Sequence, residues 1–181
     1  SHLQEPIAVT YYLEATSALG NVTTNYRGAF AKLTGLDTYT LGAVDTATTT
    51  NLSTRMMHLS STPNWAVDLT GDTVIDYGYA EVISSVRVDR SAVTDGPFQT
   101  VSLGVVVLET TDGTTIPAAD FDLDTNNDTI NDHMLIDETD TVLRFGRLRL
   151  ADAFGPEAAN LPVTFVTEFW DGSQFALNTQ D

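Results

Sequence analysis

The residues best equipped for chemistry lie between positions 120 and 140, in the run DFDLDTNNDTINDHMLIDETD. Asp120, Asp122, Asp124, Asn126, Asp128 and Asp132 set oxygen-bearing side chains at even-numbered positions, so that a looping chain could wrap them around a hard cation. Calcium takes roughly six to eight oxygens from carboxylates, amides and backbone carbonyls. An EF-hand register fails. Counted from Asp120, the sixth position is Thr125 instead of Gly and the twelfth is Asn131 instead of Glu; counted from Asp122, they are Asn127 and His133. The run resembles the acidic calcium loops of extracellular β proteins. No Lys or Arg occurs between Ser91 and Leu143 to neutralise it. Two roles stay open: a solvated acidic loop, or a calcium site built from these six residues.

Other reactive side chains form no recognisable constellation. His2, His58 and His133 are far apart and lack the HxH or HExxH spacing of a zinc site. His58 is expected as a half-buried strand residue. No GxSxG elbow, P-loop or GxGxxG is present. With 25 acidic residues a glycosidase-like carboxylate pair is always available, but nothing singles one out. We therefore expect no catalytic residues and no enzyme. Arg144, Arg147 and Arg149 are expected to pair with acidic neighbours on a sheet surface, in preference to an anionic or sugar ligand. Trp170 is expected in the core more than as a stacking platform.

Composition narrows the partners. A formal charge of -17, from 25 acidic against 8 basic residues, argues against nucleic acid, whose affinity comes from Lys and Arg. It also argues against docking on anionic lipid. No apolar run approaches the ~20 residues that cross a bilayer, so no membrane insertion is expected. Cysteine is absent, which excludes disulfides and thiolate metal sites. Lys32 is the only lysine and threonine is abundant, a bias associated with secreted or cell-surface bacterial proteins. Ser1 and His2 read as the remnant of a cleaved tag, so the chain is expected to be a piece of a larger secreted protein.

The elements that must position these residues read as strands. Pro6–Glu14, Leu52–Ser60, Trp65–Leu69, Val74–Val88 and Phe98–Glu109 are rich in β-branched and aromatic residues between turn signals. Phe98–Glu109 is expected as a central strand, with Asp112-Gly113 as the hairpin turn after it. Leu36–Asn51 lacks periodicity and is expected as a loop. The stretch Leu143–Trp170 is expected to organise the fold. In it FGRLRL and LPVTFVTEFW pair antiparallel, with Phe145, Leu148, Leu150, Val163, Phe165 and Phe169 in the core. Gly146 breaks the alternation and suggests a bulge or a close backbone approach. Many short strands without an amphipathic helix predict an all-β fold, an antiparallel β-sandwich of immunoglobulin-like or jelly-roll-like kind. We expect one domain over 3–181, the alternative being two immunoglobulin-like modules over 3–95 and 96–181. No internal repeat is read from the sequence.

The segment FGRLRLADAFGPEAANLPVTFVTEFWDGSQFALNT resembles the C-terminal part of the MshQ family of MSHA pilus biogenesis proteins, large secreted bacterial proteins with a long domain of unknown function. Phe145–Leu150, Ala153-Phe154-Gly155, Leu161-Pro162-Val163 and Phe169-Trp170 with Gly172 carry the likeness. Asn25-Tyr26 with Gly28–Leu33, and Asp95–Phe98 through Leu103-Gly104, extend it upstream. The chain departs from the family at Gly155–Ala159, in the turn. The resemblance implies a type IV pilus context, export, and an extracellular or cell-surface location. It carries no catalytic residues. The expected function is a non-enzymatic module acting in adhesion or pilus assembly, with pilus components as partners. The alternative is a lectin-like module that binds cell-surface glycans, with calcium as a possible cofactor.

Overall fold

Val82, Val86 and Val88 alternate with polar residues, and that period of two places them on one face of a strand. In the computed structural model they lie on the buried face of the middle strand of a three-stranded sheet. The structure describes residues 1–136, 141–150, 152–155, 160 and 163–179. Eleven strands are assigned among them: β1 (Ile7–Glu14), β2 (Thr38–Asp45), β3 (Thr50–Asn51), β4 (Met56–Asn64), β5 (Tyr79–Val88), β6 (Phe98–Leu108), β7 (Met134–Leu135), β8 (Thr141–Leu143), β9 (Gly146–Leu150), β10 (Phe165–Trp170) and β11 (Phe175–Leu177). Every pairing between strands is antiparallel.

One sheet has the order β1-β5-β4. A second runs β3-β2-β6-β7, with β8 also paired to β6. These two face each other as an all-β antiparallel sandwich, as expected. Ala80, Val82, Val86 and Val88 of β5 share one buried cluster with Val101, Leu103, Val105 and Val107 of β6 and with Tyr39, Leu41 and Ala43 of β2. Burying such faces removes apolar area from water and drives the folding of the unit. Phe98–Leu108 is the central strand the sequence suggested. Asp112-Gly113 turns the chain after it, since Glu109 N donates to Thr114 O and Leu108 bridges Thr115.

The strand expected over Val74–Val88 starts only at Tyr79, and the one expected over Leu52–Ser60 only at Met56, after a 3-10 turn at Ser53–Arg55. Three further expectations require correction. Leu36–Asn51 is no loop: it holds β2 and β3. Five consecutive residues of β2, Leu41 to Asp45, are buried, because the sandwich covers one face and a later loop covers the other. Burial on both faces erases the alternation that marks a half-exposed strand. Trp65–Leu69 is not a strand; β4 instead runs on through Pro63 to Asn64, with a bulge between His58 and Ser60. Trp65 packs edge-on to Tyr26, with ring centroids 4.6 Å apart.

The third correction concerns the organising stretch. β9 and β10 do pair antiparallel, from Gly146↔Phe169 to Leu150↔Phe165. With β11 they form a separate three-stranded sheet. Its Leu148, Leu150 and Phe165 are 62%, 57% and 64% exposed, so they lie outside the core. Leu143 is buried on β8, and Phe145 packs against the core from its rim. Gly146 is a point of close approach, where a Cβ would come 2.8 Å from the His2 ring. The expected core residue Val163 is exposed and Phe169 only half-buried. Leu161 and Pro162 lie outside the described residues, as do Pro156–Ala159 of the divergent turn.

Candidate functional site

The acidic run leaves the sandwich as a hairpin whose arms meet at an antiparallel bridge between Leu123 and His133. Leu123, Thr125 and His133 are buried, which ties the base of the loop to the sheet. The carboxylates inside it turn inward on the backbone. Asp124 Oδ1 accepts from Asn127 N at 2.7 Å and Asp128 N at 3.3 Å, and its Oδ2 from Thr129 N at 2.8 Å. Asn126 Oδ1 accepts from Asp128 N at 2.9 Å, and Asp128 Oδ1 from Ile130 N at 2.9 Å. Asp132 accepts from Thr125 N and Thr125 Oγ1, and its Oδ1 sits 2.9 Å from His133 Nδ1. Burial works against ionisation of Asp132, but the bonds from His133 and Thr125 outweigh it and hold the carboxyl below its usual range.

Of the six expected ligands, Asp124, Asn126, Asp128 and Asp132 thus belong to one closed loop. Asp120 ends a short 3-10 turn, Ala118–Asp120, and Asp122 accepts from Leu135 N at 2.6 Å, so both lie outside it. Among the described residues no group of three or more His, Asp or Glu side chains converges to hold a metal ion.

The same loop occurs twice. Asp68 Oδ1 accepts from Gly71 N at 2.7 Å and Asp72 N at 3.3 Å, and its Oδ2 from Thr73 N at 2.8 Å. Asp72 Oδ1 takes Val74 N, as Asp128 takes Ile130 N. Asp76 takes Leu69 N, as Asp132 takes Thr125 N. The base closes alike, with Asp76 N donating to Val67 O and Asp132 N to Leu123 O, each at 2.9 Å. Positive φ falls at matching places, +75° at Gly71 and +61° at Asn127, then +71° at Thr73 and +75° at Thr129. Threonine avoids that region, so both copies keep a strained residue at the same point. The bond from Thr73 N, first among several to Asp68, holds that carboxyl below its ordinary value.

This repeat corrects the expectation that the chain has none, and it enlarges the candidate site by Asp68, Asp72 and Asp76. The signal was legible. DLTGDTVID and DTNNDTIND share Asp at the first, fifth and ninth positions, Thr at the sixth and a β-branched residue at the seventh. Only a count begun at Asp124 exposes it.

The other expected chemistry resolves into structure. His58 is half-buried on β4, and its Nε2 lies 2.8 Å from Ser61 Oγ. Ser61 Oγ reaches Ser84 Oγ at 2.6 Å, which reaches the Tyr11 hydroxyl at 3.2 Å. Ser61, Ser84 and Tyr11 are buried, so this chain of polar groups crosses the β1-β5-β4 sheet and satisfies itself inside the sandwich. Arg147 and Arg149 pair with the buried Glu168 from both sides at 2.7 Å, as the sequence suggested. Hydrogen bonds from Arg149 and then Arg147 hold the Glu168 carboxyl below its usual range. Arg144 lies over the Phe169 ring at 4.5 Å. Trp170 is half-buried beside Phe175. Among the described residues no helix is long and apolar enough to cross a membrane.

Comparison with known families yields two matches in succession. The model of DUF6701, third domain, matches residues 1–134, and that of DUF6701, fourth domain, matches residues 144–181. Neither the curated proteins nor the solved structures give a match.

Proposed function

The chain belongs to the DUF6701 family, and on that premise we propose that it is a non-enzymatic module of a secreted, type IV pilus-associated protein of the MshQ kind, acting in adhesion or pilus assembly. The observation that carries this reading is the succession of two numbered domain models along a chain of antiparallel sheets. Consecutive β modules suit a protein that extends from a surface and presents loops and sheet edges to partners. The strongly acidic composition disfavours nucleic acid as a partner. Binding of the purified domain to isolated pili, measured beside a glycan array, tests this. Pilus binding without a glycan signal is the expected result. Turnover on a broad panel of glycosides and esters would overturn the non-enzymatic assignment.

A second reading, a calcium-dependent carbohydrate-binding module, is favoured by the duplicated aspartate loop alone. Asp124, Asn126 and Asp128, and equally Asp68 and Asp72, set oxygens on a tight loop of the kind calcium occupies. A glycan signal that EDTA abolishes would select this reading over the first.

A further inference from the structure

We propose that β1 is a docking edge for an extended peptide segment of a partner polypeptide, which adds as a strand to the β1-β5-β4 sheet. β1 is an edge strand with an unbroken register against β5, from Ile7↔Val86 to Glu14↔Tyr79. Ala15 N donates to Gly78 O one step further on. Antiparallel pairs alternate, so the odd-numbered residues of β1 exchange hydrogen bonds with β5 and the even-numbered ones point their backbone groups away. The outward N–H and C=O groups of Ala8, Thr10 and Tyr12 meet no partner among the described residues. All three residues are exposed.

The other edges carry the features that discourage pairing. β4 holds the bulge and Pro63, and β9 carries Arg147 and Arg149. β3, β7 and β11 are two or three residues long. On β7 the Leu135 N–H is already taken by Asp122. β1 has eight residues with no proline, no bulge, and no charge before Glu14 at its end.

A cleft of about 370 Å³ opens beside this edge, between β1 and β7. Thr10 and Tyr12 line one side, and Val105, Met134 and Ile136 the other. An added strand would pair its backbone with β1 and turn alternate side chains into the cleft, which suits apolar residues of moderate size. Its remaining side chains would face Glu14, and Glu81, which accepts the Tyr12 hydroxyl at 3.1 Å. Neighbouring carboxylates on a chain of net charge -17 select a segment with Lys or Arg at the outward positions, and disfavour a second copy of this chain.

The test uses the intact domain and an octapeptide alternating valine with lysine. Hydrogen exchange at the Ala8, Thr10 and Tyr12 amides should slow on binding, while Val9 and Tyr11, already in the ladder, stay unchanged. Thr10→Pro removes one outward N–H without touching a β5 bond and should weaken binding by roughly tenfold or more. An unchanged melting temperature shows that this variant folds. Methylating the peptide amides that face β1 gives the same loss without altering the protein. A glutamate version of the peptide should bind at least about tenfold more weakly. The proposal is overturned by no binding at millimolar peptide, by affinity indifferent to both Thr10→Pro and methylation, or by protection at Arg147–Arg149 instead. Concentration-dependent dimerisation that protects the same amides without peptide would also overturn it, by making a second copy the occupant.

Discussion

Gly42 of β2 lies directly opposite Gly104 of β6, and the two leave a bare patch on the outer face of their sheet. The arms of the acidic loop rest there. A Cβ on Gly104 would come 2.7 Å from His133 Cβ and 2.9 Å from the Leu123 side chain. One on Gly42 would come 2.7 Å from Thr125 Cγ2 and 2.9 Å from the His133 ring. The loop is therefore positioned by two absent side chains. We predict that Gly104→Ala forces the hairpin off the sheet at a cost of about 1–3 kcal/mol. Amide exchange from Asp124 to Asp132 should accelerate, while the twin loop at Asp68 to Asp76 stays as it was. Equal acceleration in both loops would show a global loss of stability.

The location of the core gives a paired prediction. Leu103 is 4% exposed between the sheets, whereas Phe165 is 64% exposed on β10. Leu103→Ala should lower stability by roughly 2–5 kcal/mol through lost burial and the cavity left behind. Phe165→Ala should change it by less than about 0.5 kcal/mol. Denaturant midpoints of the two variants decide the matter, and a larger shift for Phe165 would put the core in the wrong sheet.

How far the fold was legible follows from which faces are covered. β5 and β6 announced themselves by alternation or by an apolar run; β6 sits where the pattern put it, while β5 begins at Tyr79 instead of Val74 because Val74–Asp76 close the Asp68 loop. β2 did not, because Gly42 and Val44 look outward toward a loop from elsewhere in the chain, and no local pattern records that cover. β9 and β10 showed the right pairing and the wrong burial. Alternation tells which residues share a face, but not whether anything packs on it. In the candidate site, the oxygen-bearing side chains were visible as a run, while the loop that Asp124 closes depended on choosing the right first residue.

Asp37 offers a test by pH. Its Oδ1 accepts from Thr110 N and Oγ1, and its Oδ2 from Thr34 N and Oγ1, tying the start of β2 to the turn after β6. Burial alone would raise its pKa, but these four bonds favour the carboxylate and bring it down to about 2. An unfolded aspartate titrates near ~3.9, so the unfolded state takes up the proton first. The stabilisation is complete above that value and is lost as pH falls through about 2. Asp37→Asn should lower the melting temperature at neutral pH and lose less on acidification to about pH 2 than the parent does. Parallel melting-temperature profiles for the two proteins would remove Asp37 from the acid response.

Asp68 and Asp124 supply the last prediction, because a duplicated loop provides its own internal control. Each first aspartate spends its oxygens on three backbone N–H groups, which accounts for the loops without any ion. Calcium would have to add stability beyond that. An ion that binds only the folded state contributes RT ln(1 + [L]/Kd), about 2.7 kcal/mol at a hundredfold excess over Kd. Extracellular modules bind calcium at ~10⁻⁴–10⁻³ M, so millimolar concentrations are the relevant range. Charge screening on so acidic a chain is the rival cause of any salt effect, and it does not distinguish calcium from sodium at equal ionic strength. We expect millimolar CaCl₂ to raise the melting temperature while matched NaCl does not. Asp68→Ala and Asp124→Ala should each remove part of the rise, and the double variant all of it. A loss confined to Asp124→Ala would leave calcium only at the Asn126-bearing copy, since the Asp68 loop has Thr70 at that position. Identical melting curves in the two salts, with a flat calorimetric titration, would establish both loops as turns held by their own hydrogen bonds.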